Sequence, residues 1–337
     1  MSGIMEDIKN PWALPDPTDS VDVVQTHIST VFIGRDFVYK IKKPLNFGFL
    51  DFSTLEKRRY YCEREVELNR RFSSDLYMGV VPIFLSSRGY AMTLQEGEPV
   101  EYAVRMRRIN EELLMDRVFE KGLLTDKNIR DVAKFLAGFH AGAEGGAIIA
   151  DFGTAKKFKI NTDENFEQVS PFIGKTISGE LFRTLHEWTE DFYLSNGSLF
   201  ERRIAEGRVR DCHGDLHMQH ICLSEPVQAF DCIEFNDRFR YCDTLADIAF
   251  LLMDMEYRGA GAQATALWNY YRKDAKEEEG VESLLIFYKV YRAFVRGKVI
   301  GFIVNDNGIA PDIRDKAART AARYFDLAYS FVREVSI

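Results

Sequence analysis

Cysteine is scarce in this sequence. Only 5 occur in 337 residues, at Cys62, Cys212, Cys222, Cys232 and Cys242, an odd number with no Cys-x-x-Cys pair, which excludes a disulfide framework and a zinc ribbon. Long apolar runs are missing too. None approaches the roughly 18 to 20 residues of a membrane span, and the opening Met1–Trp12 stretch lacks the basic and apolar regions of a signal peptide. The expectation is a cytoplasmic protein with no membrane partner. Excess positive charge is also lacking: 44 Lys and Arg stand against 52 Asp and Glu, a net charge of -8, which argues against a nucleic-acid partner. Repeats and low-complexity tracts are absent. What remains is an ordinary composition, 46% hydrophobic and 28% charged, in a chain longer than one compact core usually holds, so two lobes are expected.

Residues 1–20 are polar and carry Pro11, Pro15 and Pro17, which reads as an extended arm. Val21–Thr26, Ile28–Ile33 and Phe37–Ile41 then read as strands of a small antiparallel sheet, the last two joined at a Gly34-Arg35-Asp36 turn. Side-chain alternation puts Lys40 on the face of Val38 and Lys42. An inward lysine there needs an anionic partner, whereas a solvated edge strand needs none. Ser53-Thr54-Leu55-Glu56 matches a capping box and predicts a helix through Arg58, Tyr61, Glu65, Leu68 and Phe72. Of its glutamates, Glu65 lies nearest the apolar stripe and is the candidate partner; Glu63 and Glu67 are read as surface pairs. A hairpin, Val80–Leu85 and Gly89–Leu94, leads to a strand Val100–Ile109, and the lobe boundary is placed near residue 110. The expected organisation is an arm (1–20), a sheet lobe (21–109) and a helical lobe (110–337).

Thr125-Asp126 caps an amphipathic helix that carries Ile129, Val132, Leu136 and His140 on one stripe, with His140 as a satisfied core histidine. Further helices are predicted near 179–194, 198–207, 243–257, 261–277, 281–303 and 312–335. Two motifs are read as accidental. Asp151-Phe152-Gly153 precedes the His-Gly-Asp element, the reverse of the protein-kinase order. Gly174-Lys175-Thr176 lacks the first glycine of a P-loop, since Val169 stands there.

Chemistry concentrates between Asp211 and Asp254. His213-Gly214-Asp215 is followed by two short strands, Ile221–Leu223 and Val227–Phe230, so that Asp215 stands at one strand's entrance and Asp231 at the other's exit. Two carboxylates so placed could flank a metal and a reacting hydroxyl, and phosphoryl transfer needs little beyond positioning and charge stabilisation. A transition-metal site is the rival, because His213, His217, His220 and Cys222 are dense in ligand types. Gly214 and the strand pattern argue against the helix that such a site would need.

In order, Val38–Ile41, Arg64-Glu65 with Leu68, Leu136–His140, His213–His217, Phe230-Asp231 and Ala246–Ala249 make the chain resemble the aminoglycoside phosphotransferase family, which is similar to choline and fructosamine kinases. The likeness runs from about residue 21 to 330 and is strongest to uncharacterised bacterial members. It implies an α+β, two-lobed protein-kinase-like fold and an ATP-dependent kinase with a small-molecule hydroxyl acceptor. By the same resemblance, Lys40 would hold the ATP phosphates with Glu65 orienting it, Ser29 and Thr30 would replace a glycine-rich loop, and Met106, Arg107 and Arg108 would pass the adenine. Asp215, within His213-Gly214-Asp215, would be the base, Asp231 would bind Mg2+, and Asp247 would brace the catalytic loop. Where the family has Asn as a second metal ligand, this chain has His220. Either His220 shifts the preference toward Mn2+, or Gln219 supplies an oxygen, or the second metal is lost. Glu234 competes with Asp231 for the metal position; Asp231 is preferred because it directly ends its strand. A catalytically weak pseudokinase acting through a partner is the alternative. Tyr288, Arg292 and Arg296, one turn apart, read as a solvated basic face or as the lining of an anion-accepting cleft. Substrate and oligomeric state are not legible.

Overall fold

A computed structural model describes residues 2–93, 97–306 and 308–335. Its chain divides into two compact units, Met1–Arg117 with His220–Asp237, and Val118–Gln219 with Arg238–Ile337. The segment His220–Asp237, read from sequence as part of the helical lobe, thus belongs to the first unit.

The first unit is built on a six-stranded antiparallel sheet, β1 (Asp22–Gln25), β2 (Ser29–Ile33), β3 (Phe37–Lys42), β4 (Tyr77–Ser86), β5 (Gly89–Ala91) and β6 (Glu101–Arg107), in the order β1-β2-β3-β6-β4-β5. Each predicted strand is present with ends moved by a few residues; Leu94, the predicted end of the hairpin, lies outside the described residues. One face of the sheet packs Phe32, Tyr39, Ile41, Ile83 and Ala103 against Ile4, Ile8, Ala13 and Leu14. The first twenty residues therefore do not form an extended arm: Ser2–Ile8 is helical, and Pro11 opens a short 3-10 turn. Ile4 and Ile8 are one turn apart and bury together, which outweighs the extended bias of the prolines.

The helix Leu55–Asn69 covers the other face, with Cys62 and Val66 on Val104 and Met106. It begins as predicted, but Thr54 is the N-cap and accepts from the Lys57 amide, while the Ser53 hydroxyl turns to Asp51. The Ser53 capping box is not formed. Ile221–Cys222 and Gln228–Ala229 form a separate two-stranded pair in this unit.

In the second unit the helix Thr244–Tyr257 is buried at every position from Thr244 to Met255, and its apolar all-round sequence is what a central helix requires. Asp243 caps it by accepting from Leu245, and Arg203 grips the same carboxylate. Around it lie Asp126–Gly142, Gly261–Asp274, Glu282–Gly301 and Pro311–Val335. The two helices predicted at 179–194 and 198–207 are one, Gly179–Ala205, kinked at Asn196 (φ -125°, ψ 21°). All five cysteines are buried thiols rather than disulfide halves. No helix among the described residues is long and apolar enough to cross a membrane.

Candidate active site

In the first unit, β3 sends Lys40 and Lys42 to the same face, two residues apart. The Lys40 ammonium lies 2.9 Å from Glu65 and 2.6 Å from Asp231; Lys42 lies 2.7 Å from the other Glu65 oxygen and also bonds Glu234. The solvated-edge reading of this strand is thereby excluded, and the expected Lys40–Glu65 pair is formed. Glu63 and Glu67 make only surface pairs, with Arg59 and Arg64.

Two ammonium groups face three carboxylates, and burial differs sharply among them. Side chains of Lys42 and Glu65 are 0% exposed, whereas that of Asp231 is 43% exposed. Burial would raise the Glu65 carboxyl, but the charges of Lys40 and Lys42 outweigh it and hold the group below its ordinary value. At Glu234 burial prevails over the attraction of Lys42 and pushes the carboxyl up. Glu234 is thus the odd acid of the set, enclosed with Lys42, while the Asp231 side chain stays partly open to solvent.

Backbone geometry presents Asp231. It adopts a left-handed conformation (φ 61°), which is uncommon outside glycine, asparagine and aspartate. Its amide donates to the Tyr77 hydroxyl, the next amide, of Cys232, donates to Asn69, and Ser73 donates to the Ala229 carbonyl. His220 Nε2 lies 3.5 Å from Asp231 Oδ2.

The nucleotide-contacting residues implied by the resemblance do not all converge. The register Ser29↔Lys42 and Val31↔Lys40 puts Ser29 on the lysine face, its Oγ buried without a hydrogen-bond partner among the described residues. Thr30 points to the opposite, core face and donates to Gln25. The turn before them is closed by Thr26, whose amide donates to the Ser29 carbonyl and whose hydroxyl accepts from the Ser29 amide. Met106 is buried in the helix-covered core. The amides of Arg107 and Arg108 are taken by the Leu76 and Asp36 carbonyls, so only their carbonyls remain for a base. An open cleft of about 790 Å³ runs beside them, lined by Arg35, Asp36, Arg107, Ile109 and Glu112 among others.

In the second unit, His213-Gly214-Asp215 follows the strand Val209–Asp211, paired with Tyr241–Asp243. The Asp247 carboxylate, from the first turn of the central helix, accepts from the amides of His213 (3.0 Å) and Gly214 (2.9 Å) and lies 3.1 Å from His140 Nε2. His140 Nδ1 lies 2.8 Å from the Tyr271 hydroxyl. Burial alone would raise the Asp247 carboxyl; the His140 hydrogen bond, with the fields of His140, His213 and Arg292, instead lowers it to about 2. His140 is a core histidine, as its stripe predicted. Arg292 is no surface residue. It is 4% exposed and donates to the carbonyls of Gly214 (2.9 Å) and Ala246 (3.0 Å); its neighbour Tyr288 is 1% exposed. The solvated-face reading of that stripe is therefore wrong, because the helix Glu282–Gly301 turns it inward against the loop.

Farther along the loop, Asp254 accepts from the Met218 amide (3.0 Å). His213 is enclosed and its Nδ1 accepts from the Asp215 amide (3.3 Å). Asp215 itself stays one-third exposed, with Oδ2 3.7 Å from His217 Nε2. The helix that would align His213, His217 and His220 is not formed; Met218–His220 is a single 3-10 turn. Lys42, Tyr77, Asn69 and Asp254 escaped the sequence reading as site residues. Of these, Lys42 carried a local signal, being in phase with Lys40.

No protein-family model matches the chain. An uncharacterised protein of Mycobacterium tuberculosis is 34% identical over 283 residues, covering 83% of this chain and 54% of its own length. The chain spans about half the length of the curated relatives it matches. Among solved structures, a choline/ethanolamine kinase family protein from Mesorhizobium loti aligns with a TM-score of 0.51 and 12% identity over 97% of this chain and 99% of its own. An amicoumacin kinase in complex with AMP-PNP, Ca2+ and Ami aligns with a TM-score of 0.52 and 14% identity over 91% of this chain and 88% of that one. The chain thus has the α+β, protein-kinase-like fold of these small-molecule kinases, as the resemblance to aminoglycoside phosphotransferases implied.

Proposed function

We propose that the chain is an ATP-dependent kinase that transfers the γ-phosphoryl group to a hydroxyl of a small molecule. The observation that carries this reading is the Lys40–Glu65 pair bonded to a half-exposed Asp231. A fixed lysine with a spare donor suits phosphate oxygens, and an exposed carboxylate beside it suits a hard cation.

Lys40 would bind the α- and β-phosphates while Glu65 keeps its ammonium charged and aimed, and the Ser29 hydroxyl, on the same face, would donate to a phosphate oxygen. The oxygen donor and exposure of Asp231 fit Mg2+ or Mn2+; enclosed Glu234, bonded to Lys42, does not. When bound, such an ion supplies positive charge to the phosphates. In the second unit, Asp215 would accept the hydroxyl proton as the acceptor oxygen bonds to the γ-phosphorus and the bond to the β–γ bridging oxygen breaks, releasing ADP. Asp247, His140 and Arg292 hold the loop that carries it. A cytoplasmic protein with a free small-molecule acceptor and no nucleic-acid partner completes the reading.

The test is nucleotide turnover over a broad panel of hydroxyl compounds, with Mg2+ and with Mn2+, for the native chain and Asp215→Ala. Turnover that Asp215→Ala abolishes supports the kinase. Tight nucleotide binding without turnover in either metal supports the partner-dependent module instead, a reading favoured by His220 beside Asp231.

A further inference from the structure

In the second unit a second group of side chains extends from the Asp215 loop. Arg292 reaches the Gly214 carbonyl (2.9 Å), and Arg296 lies one turn farther on the same helix face. Its guanidinium stands 5.7 Å from the Tyr324 ring centre. Gly297, the next residue, lets the Phe325 ring approach so closely that a Cβ would meet it at 2.8 Å, which fixes the spacing between these two helices. Tyr324 stacks on Tyr257 (3.7 Å between ring centres, 7° between planes), and Arg323 covers the Tyr257 ring at 4.7 Å. A third arginine, Arg258, is tied to Asp254 (3.1 Å), the carboxylate that accepts from Met218 of the same loop.

The chemistry of this group is cationic. Arg258 has a carboxylate partner, but neither Arg296 nor Arg323 makes an ion pair with any described residue. Arg296 is half-buried, and its Nε is buried without a hydrogen-bond partner among the described residues. A desolvated guanidinium with an unused donor is costly unless an acceptor completes it, best an anionic one, and neither the aromatic faces nor the Tyr324 hydroxyl nor the nearby Asp215 and Asp254 supply one to its Nε. Burial opposes the charge of Arg296, but Tyr324 and Asp215 outweigh it and keep the group protonated.

We infer that Arg296 and Arg323, over the Tyr257–Tyr324 stack, form the acceptor subsite and select a hydroxyl compound that carries a carboxylate or phosphate group. The inference rests on the kinase reading for its direction: the acceptor hydroxyl would lie at Asp215 and its anionic group at Arg296. A choline-like or aminoglycoside-like cation would be repelled there.

The test is calorimetric titration of the full chain with glycerol 3-phosphate, glycerate, glycerol and choline, which share a hydroxyl and differ in charge. Expected is binding of one or both anions at least about tenfold tighter than glycerol or choline, and loss of that preference in the Arg296→Gln/Arg323→Gln double variant with AMP-PNP binding unchanged. Preference for glycerol 3-phosphate alone assigns a phosphate, and preference for glycerate alone a carboxylate. Single Arg323→Gln, at an exposed position, guards against misfolding of the double variant and should weaken the preferred anion several-fold. Equal binding of all four compounds, tighter binding of choline, no binding of either anion at millimolar concentration, or a preference that survives both variants overturns the inference. Anion binding without phosphoryl transfer to any acceptor would leave the subsite standing and refute the kinase reading instead.

Discussion

In the first unit charge answers charge, whereas in the second a carboxylate answers backbone amides. Lys40, Lys42, Glu65, Asp231 and Glu234 form a grid of ion pairs whose exposed corner is Asp231. Asp247 instead uses its charge to hold the His213 and Gly214 amides of the loop that carries Asp215. On the proposed reading the difference is one of task. A site for phosphates and a metal needs fixed positive charge beside an open carboxylate, and a general base needs fixed geometry.

That contrast can be broken experimentally. The largest effect on turnover is expected at Asp231 and Lys40: Asp231→Ala should lower turnover by about 100-fold or more while thermal stability changes little, because that side chain is 43% exposed, and Lys40→Met should lower turnover as far but also cost stability, because Lys40 is 12% exposed and pairs with buried Glu65. A loss of folding in Asp231→Ala equal to its loss of activity would merge the exposed corner with the buried one. At that corner, Lys42→Met leaves Glu65 and Glu234 enclosed with one cation fewer and should destabilise by roughly 3 to 5 kcal/mol in denaturant unfolding. Glu234→Gln should cost far less, since burial already pushes that carboxyl toward its neutral form; equal costs would contradict the assignment of Glu234 as the odd acid.

In the second unit Asp247→Asn should cost about 2 kcal/mol and change the acid limb of stability. The Asp247 carboxyl is lowered from 3.8 to about 2 in the fold, so its contribution is complete above pH 4 and is lost as pH falls through about 2. The variant should show a flatter stability profile across that window, and an unchanged slope would remove Asp247 as the anionic brace. The smallest effect is expected at His220, where His220→Asn should move the ratio of Mg2+- to Mn2+-supported turnover a few-fold toward Mg2+; a constant ratio would mean that the imidazole does not tune the metal.

Local pattern made much of this legible. Strand alternation put Lys40 on the face of Val38 and Lys42, with the inward and the solvated readings both open, a helical stripe selected Glu65 over Glu63 and Glu67, and the family resemblance implied that Asp247 is a brace. Long-range pairing was not legible in the same way. Nothing beside Lys42 in sequence announces Glu234, and Arg292 looks like a surface residue until its helix is turned against the Gly214 carbonyl. In the segment expected to pass the adenine, the amides of Arg107 and Arg108 are claimed by Leu76 and Asp36, partners many residues away, which leaves the carbonyls for a base. Pro11, Pro15 and Pro17 misled over the first twenty residues, where the apolar pair Ile4 and Ile8 decides the outcome by burial.

The most direct test of the central claim is 31P NMR of ATP incubated with the chain and an anionic hydroxyl compound, for the native protein and Asp215→Ala. The account predicts a new phosphomonoester resonance that grows in step with ADP in the native sample and is absent from Asp215→Ala, although the variant still binds AMP-PNP. A phosphomonoester formed at the same rate by both proteins would contradict it.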